Sequence, residues 1–196
     1  AHGIASKLYL FYSGGMNDIL QLTIDSTEKR GLALILTQDR ARQSKTDLIG
    51  NLIINGPLFI ISGDEWLPSF LLPRMLRGHT TGVKMLMDRL RTVRASTCFR
   101  LYDSLASIPS RGEPLLVMDV LHTFYDDDIP LRHRLFRLRE CCRELKRLAF
   151  YRPVIVMTQE CEGKEYEKFI PALSSIADKW FNLAPEPEHI KQPVLF

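Results

Sequence analysis

Lys45-Thr46, Asp119 and Gln159 are the residues of this sequence whose types and placement could do chemistry together. Lys45-Thr46 follows the apolar run Leu32-Ala33-Leu34-Ile35-Leu36-Thr37 and a polar loop, at the start of a helical pattern. A phosphate-binding loop of the form G-x-x-x-x-G-K-[ST] lies between a strand and a helix in the same way. Its glycines let backbone N–H groups wrap the phosphates, its lysine neutralises charge, and its hydroxyl binds magnesium. Here the segment is Asp39-Arg40-Ala41-Arg42-Gln43-Ser44-Lys45-Thr46, in register but with both glycines replaced, by Asp39 and Ser44. Taken alone, it is a helix start with Ser44 or Thr46 as its cap. Two other residues change the weighting. Asp119 ends the buried run Leu115-Leu116-Val117-Met118, as a magnesium-water ligand does in nucleotide-binding sheets. Gln159 ends the run Val154-Ile155-Val156-Met157-Thr158, where a polar sensor of a γ-phosphate can sit.

The elements that must position these residues are legible as alternating strands and helices. Continuous aliphatic runs at 32–37, 58–61, 115–118 and 154–157 read as strands covered on both faces. Residues 89–95 alternate charged and apolar side chains and read as a more exposed strand, and 179–183 as a last one. Helical patterns cover 44–54, 68–76 despite Pro73, a turn at 83–87, a segment capped by Ser96 or Thr97 and running to Ile108, and 131–150. In the 97–108 segment Phe99, Leu101, Tyr102 and Leu105 form the apolar side. Residues 172–177 fit neither class. This alternation predicts an α/β domain with a mostly parallel central sheet, right-handed crossovers and helices on both faces. In such sheets ligand chemistry gathers at the carboxyl ends of the strands, which is where Asp119 and Gln159 fall.

Length and composition bound the rest. A chain of 196 residues, 45% hydrophobic and 25% charged, is expected to form one domain with a sizeable core. Residues 1–15 are expected to be a short strand and linker; the run at 8–12 either packs on the core or adds to a neighbouring subunit's sheet edge. Residues 184–196 are rich in proline and expected to be loosely held. The net charge of +3 permits an anionic partner without demanding one. Cys98, Cys141, Cys142 and Cys161 lack C-x-x-C spacing and read as reduced, buried thiols. No run of 18 apolar residues and no signal-peptide pattern occurs, so an intracellular protein, cytoplasmic or nuclear, with no membrane partner is expected.

The helix over 131–150 is the second feature of interest. Leu131, Leu135, Leu138, Cys142, Leu145 and Leu148 recur at spacings of three and four and form its core stripe. The remaining surface carries Arg132, Arg134, Arg137, Arg139, Arg143, Lys146 and Arg147, which Glu140 and Glu144 only partly offset. It is either a solvated face laced with i,i+3 pairs or a contact for DNA backbone or an acidic partner. Arginine dominates, and arginine makes the bidentate phosphate and carboxylate contacts that lysine does not. Arg91, with Arg89 and Arg94, either extends such a track or keeps the exposed strand polar. Asp126-Asp127-Asp128 reads as a solvated loop that places negative charge before the helix.

In order and spacing these segments resemble the RecA/RadA recombinase superfamily over roughly residues 13–183. Gly15-Met16-Asn17-Asp18-Ile19-Leu20 resembles the family's lead-in to the first core strand, and residues 39–46 a degenerate Walker A. Residues 115–119 resemble Walker B, and 131–159 the helix and strand that lead to the family's glutamine switch. The resemblance implies a RecA-like, P-loop NTPase type, three-layer α/β/α domain. It implies a nucleotide site in which Ser44 and Lys45 contact phosphate and Thr46 and Asp119 hold Mg2+ for ATP. Glu65 or Asp64 would orient water, and Gln159 would sense the nucleotide. The lost glycines point to weak or absent hydrolysis, that of a divergent paralogue. The loop after Gln159 carries Glu160, Glu162, Glu165 and Glu167, which argues against the family's usual DNA-threading role there. The function implied is an accessory or DNA-binding subunit in homologous recombination or repair, assembled with itself or with other RecA-like subunits, with single-stranded DNA as a partner. The alternatives are an active KaiC/RadA-like ATPase and a non-catalytic RecA-fold scaffold of a hetero-oligomer.

Overall fold

The computed structural model describes residues 30–37, 42–63, 70–159 and 166–183. The predicted strand at 8–12, the lead-in at 15–20, Asp39, Asp64, Glu65, the acids at 160, 162 and 165 and the proline-rich tail lie outside these residues.

Among the described residues six strands form one sheet: β1 (Gly31–Thr37), β2 (Leu58–Ser62), β3 (Leu90–Arg94), β4 (Leu115–Met118), β5 (Pro153–Gln159) and β6 (Lys179–Leu183). Their order is β3-β2-β4-β5-β1-β6, and every neighbouring pair is parallel. The helices are α1 (Arg42–Asn55), α2 (Leu71–Arg77), α3 (Val83–Met87), α4 (Cys98–Ser107), α5 (Leu131–Ala149) and α6 (Phe169–Ile176).

The sheet is covered on both faces, which is why its inner strands read as unbroken apolar runs rather than as alternation. Ala33, Ile35, Ile60, Leu116, Met118 and Ile155 face α1, α2 and α3. Leu34, Leu36, Val117, Val154 and Val156 face α4, α5 and α6. This is a three-layer α/β/α arrangement with a core on either side of the sheet. β3 is an edge strand and is exposed over most of its length, so its mixed polar sequence is tolerated there.

Five local readings are refined. α1 begins at Arg42, two residues before the expected start. Pro73 sits in the first turn of α2, where an N–H would have no intrahelical partner anyway. Thr97, not Ser96, caps α4: its hydroxyl accepts from the Arg100 N–H at 3.2 Å. Phe99 was expected on the core side of α4 but is exposed, and Cys98 is buried instead. The unassigned stretch at 172–177 belongs mostly to α6.

Candidate functional site at the carboxyl edge of the sheet

The strand order creates the site. β1 and β2 send the chain toward the β3 edge, whereas β3, β4 and β5 send it back toward the β6 edge. With right-handed crossovers, the two directions place their helices on opposite faces. The connections leaving β1 and β5 therefore diverge, as do those leaving β2 and β4. Crevices open at such points beyond the carboxyl ends of the strands.

Lys45 and Asp119 meet there. β1 and β4 are separated by β5, so their ends lie roughly 10 Å apart at about 4.8 Å per strand. Lys45, in the first turn of α1, spans that gap across the end of β5. Its Nζ donates to Asp119 Oδ1 at 2.7 Å, and the two side chains are only 11% and 6% exposed. Ser44 and Thr46 flank it and are both buried. Gln159 ends β5 between the two and is half-buried, in register with Thr37 of β1. Of the seven expected nucleotide-site residues, Lys45 and Asp119 are thus brought into contact, Ser44 and Thr46 adjoin Lys45 in the chain, and Gln159 ends the strand between. Asp64 and Glu65, the expected water-orienting residues, lie outside the described residues.

Asp119 is held in an uncommon conformation. Its backbone is left-handed, φ 52° and ψ 40°, and it is the one described non-glycine residue with positive φ. Aspartate visits this region more readily than most residues but at a cost, so the surroundings must impose it. They do so from three sides. The turn it opens, Val120–Phe124, buries Val120, Leu121, Thr123 and Phe124. The Leu121 N–H donates to Thr158 Oγ1 of β5 at 3.3 Å. Gly63, just past β2, donates its N–H to the Met118 carbonyl at 2.8 Å, and a Cβ there would lie 2.4 Å from the Asp119 carbonyl oxygen. Only glycine fits so close an approach.

The second carboxylate oxygen, Oδ2, is buried and has no hydrogen-bond partner among the described residues. A buried unpaired carboxylate oxygen is costly, and such an atom marks a place for a water or ion. Magnesium is commonly held by one or two carboxylates plus phosphate oxygens and waters. The donor set, Asp119 Oδ2 with Lys45 beside it, is of the kind that suits Mg2+ and phosphate respectively. It fits poorly as a full phosphate cradle, because Ser44 replaces the glycine that would let the backbone close around an anion. No cluster of three or more histidine, cysteine or acidic side chains suited to a metal occurs among the described residues.

The expected basic face of α5 divides in two. Arg134 has turned inward, with 4% side-chain exposure; its Nη1 donates to the Phe124 carbonyl at 3.1 Å and lies 3.5 Å from Asp127 Oδ1. It locks α5 onto the turn that carries Asp119 and is not part of an outward surface. Arg137 pairs with Glu140 at 2.7 Å and lies over the rings of Phe99 and Tyr102 on α4, about 5 Å from each centroid. Arg147 pairs with Glu144 at 2.6 Å and donates to Ser110 Oγ and to the Leu105 and Ile108 carbonyls. These three arginines are committed to the fold. Arg132, Arg139, Arg143 and Lys146 remain exposed. Arg91, on β3, is held by Glu113 at 3.0 Å and lies over the Phe59 ring.

Two structural residues gave no functional signal in the sequence. Arg152 is buried and donates to the carbonyls of Pro109, Ser110 and Glu113, closing the loop before β4. Burial lowers its guanidinium pKa, and the Glu113 carboxylate opposes that shift. Thr158 joins the end of β5 to both neighbours through its hydroxyl and its carbonyl, the latter accepting from Thr37 Oγ1 at 3.4 Å.

Burial raises the pKa of all three described thiols: Cys98, Cys141 and, to about 11, Cys142. They are structural, as expected. No helix among the described residues is long and apolar enough to cross a membrane. No family model matches the chain, and no curated protein matches its sequence.

Proposed function

We propose that the chain is a RecA-like domain whose nucleotide site binds phosphate weakly and hydrolyses ATP slowly or not at all, and that it serves as an accessory, DNA-binding subunit in recombination or repair. The observation that carries this reading is the buried contact between Lys45 and Asp119, 74 residues apart, at the carboxyl edge of a parallel sheet. A chance Lys-Thr at a helix start has no reason to meet the one strained, buried aspartate at the end of a central strand. The unpartnered Asp119 Oδ2 is a further sign that the pair once served, or still serves, a ligand.

The same geometry argues for weak binding and slow chemistry. Lys45 must release or share Asp119 before it can neutralise a phosphate, and the pair is shielded from water, so that exchange is costly. In this reading Lys45 supplies charge to the phosphates, Thr46 and Asp119 hold magnesium, and Gln159 lies where a change at the phosphate would be felt. Bound Mg2+ would neutralise the phosphate charge; the protein's part is to orient the anion and exclude water.

Calorimetry of the purified protein with ATP and Mg2+ tests the site. Binding in the tens of micromolar or weaker, abolished by Lys45→Ala, with turnover no faster than buffer, is the expected result. Rapid magnesium-dependent turnover lost in Lys45→Ala would instead establish an active KaiC/RadA-like ATPase. No binding at all, with stable co-purifying subunits, would leave the scaffold.

A further inference from the structure

The outward line of α5 combines cations and aromatic rings. Arg132, Phe136, Arg139, Arg143, Lys146 and Phe150 are all exposed, and their spacings alternate four and three. At about 100° per residue they fall within roughly 40° of a single line, which runs about 27 Å at 1.5 Å per residue. Phe136 is 53% exposed and Phe150, at the carboxyl cap, 69%. The acids of the helix do not neutralise this line. Glu140 is taken by Arg137 and Glu144 by Arg147, on the flank that packs against α4. No acidic side chain lies within ion-pair distance of Arg139 or Arg143 among the described residues, and Lys146 has only a loose, half-exposed pairing to Asp178 at 3.9 Å.

We infer that this stripe is a docking surface for single-stranded DNA, with Arg132, Arg139, Arg143 and Lys146 following the phosphates and Phe136 and Phe150 offering rings to unpaired bases. The inference rests on the DNA-binding part of the function proposed above and adds where and in what form the nucleic acid is held. Charge complementarity selects a polyanion. The interleaved rings select a single strand, because bases stacked inside a duplex offer no face to a phenyl group, whereas unpaired bases stack on aromatic side chains irrespective of sequence. An acidic polypeptide would satisfy the arginines but leave two phenylalanines with no planar partner.

The experiment is fluorescence anisotropy with labelled dT15, rU15, a 15-base-pair duplex and poly-glutamate, at salt concentrations from 50 to 200 mM. Four phosphate contacts predict a slope of log K against log salt of about −2.8 for a single strand. That corresponds to a loss of affinity of roughly 50-fold across the range. Arg139→Gln/Arg143→Gln is expected to reduce the slope by about 1.4. Phe136→Ser/Phe150→Ser is expected to leave the slope unchanged and weaken binding by at least about 10-fold at every salt concentration, a split that a folding defect does not produce. Arg74→Gln/Arg77→Gln removes the same charge from α2 on the other face of the sheet and is expected to change little. Binding of dT15 at least as tight as that of rU15 is expected; a clear preference for rU15 overturns DNA as the occupant. Duplex or poly-glutamate bound as tightly as the single strands overturns it. Single-strand binding that the α5 variants leave intact overturns the surface while sparing the DNA-binding reading; no binding by the unaltered protein removes both.

Discussion

Replacing Lys45 with methionine tests the physical basis of the candidate site directly. The substitution keeps the length and apolar stem of the side chain and removes its charge, so Asp119 is left 6% exposed with no counter-charge. Breaking a buried pair from one side costs about 3–5 kcal/mol, because the remaining charge stays desolvated. The pair sits at the carboxyl ends of the strands rather than in the middle of the core, so the lower end, about 3 kcal/mol, is expected for Lys45→Met. For a chain of this size that lowers Tm by roughly 6–12 °C. Asp119→Asn should cost less, about 1–2 kcal/mol. Asparagine tolerates the left-handed backbone, and the lysine stem is long enough to carry its ammonium toward water. The double variant Lys45→Met/Asp119→Asn buries no charge and should return to within about 1 kcal/mol of the original protein. Urea denaturation followed by far-UV circular dichroism at pH 7 measures all four proteins, and the double-mutant cycle should give a coupling of about 3–5 kcal/mol. A cost for Lys45→Met inside the ordinary surface range of about 0.5 kcal/mol would refute the reasoning. So would a double variant no more stable than the weaker single one.

Three further outcomes follow from the same structure. Gly63→Ala forces a Cβ to within 2.4 Å of the Asp119 carbonyl, so it should displace the turn at Asp119 and abolish Mg-ATP binding while the sheet's circular dichroism survives; retained binding by calorimetry would show that the turn yields freely. Arg152→Met leaves three loop carbonyls without their charged donor and should cost about 3 kcal/mol or more in urea denaturation, given about 1.5–3 kcal/mol per charge-assisted hydrogen bond and incomplete additivity. Cys142 binds its proton more tightly folded, with a pKa of about 11, than unfolded, near 9.0. Stability from this thiol is therefore complete below pH 9 and falls as pH rises toward 11, where the unfolded chain loses the proton first. In a Cys161→Ser background, iodoacetamide at pH 8 should label the native protein only as fast as it unfolds; immediate labelling of Cys142 would show the thiol to be accessible.

Much of this architecture was legible in the sequence, and particular residues show why. Leu32–Leu36, Leu115–Met118 and Val154–Met157 are continuous apolar runs because a parallel sheet under two helical layers has no solvent face. That single fact fixes strand identity, parallel pairing and layer count together. β3 was recognisable by the opposite token, since an edge strand can alternate. Arg134 was misassigned to the outer face of α5 although it stands four residues before Leu138, on the buried spacing. The signal was present in the periodicity but was outweighed by the expectation that arginine faces water. Phe99 erred in the other direction: an aromatic residue at helical spacing looked like core, but Arg137 covers its ring at the surface instead.

Local sequence determined the strands, the helices, the cap at Thr97 and the polar ends of the central strands, because burial on two faces and hydrogen bonding within a helix leave marks at short range. It also placed Lys45-Thr46 at a helix start and Asp119 at a strand end. Only the tertiary structure decided that these two side chains touch, because the contact depends on the order β4-β5-β1, which no local pattern encodes. The same holds for the arginines of α5. Their number is written in the sequence, but which ones brace α4 and the Asp119 turn and which ones reach solvent depends on where the neighbouring carbonyls and rings lie once the layers have packed.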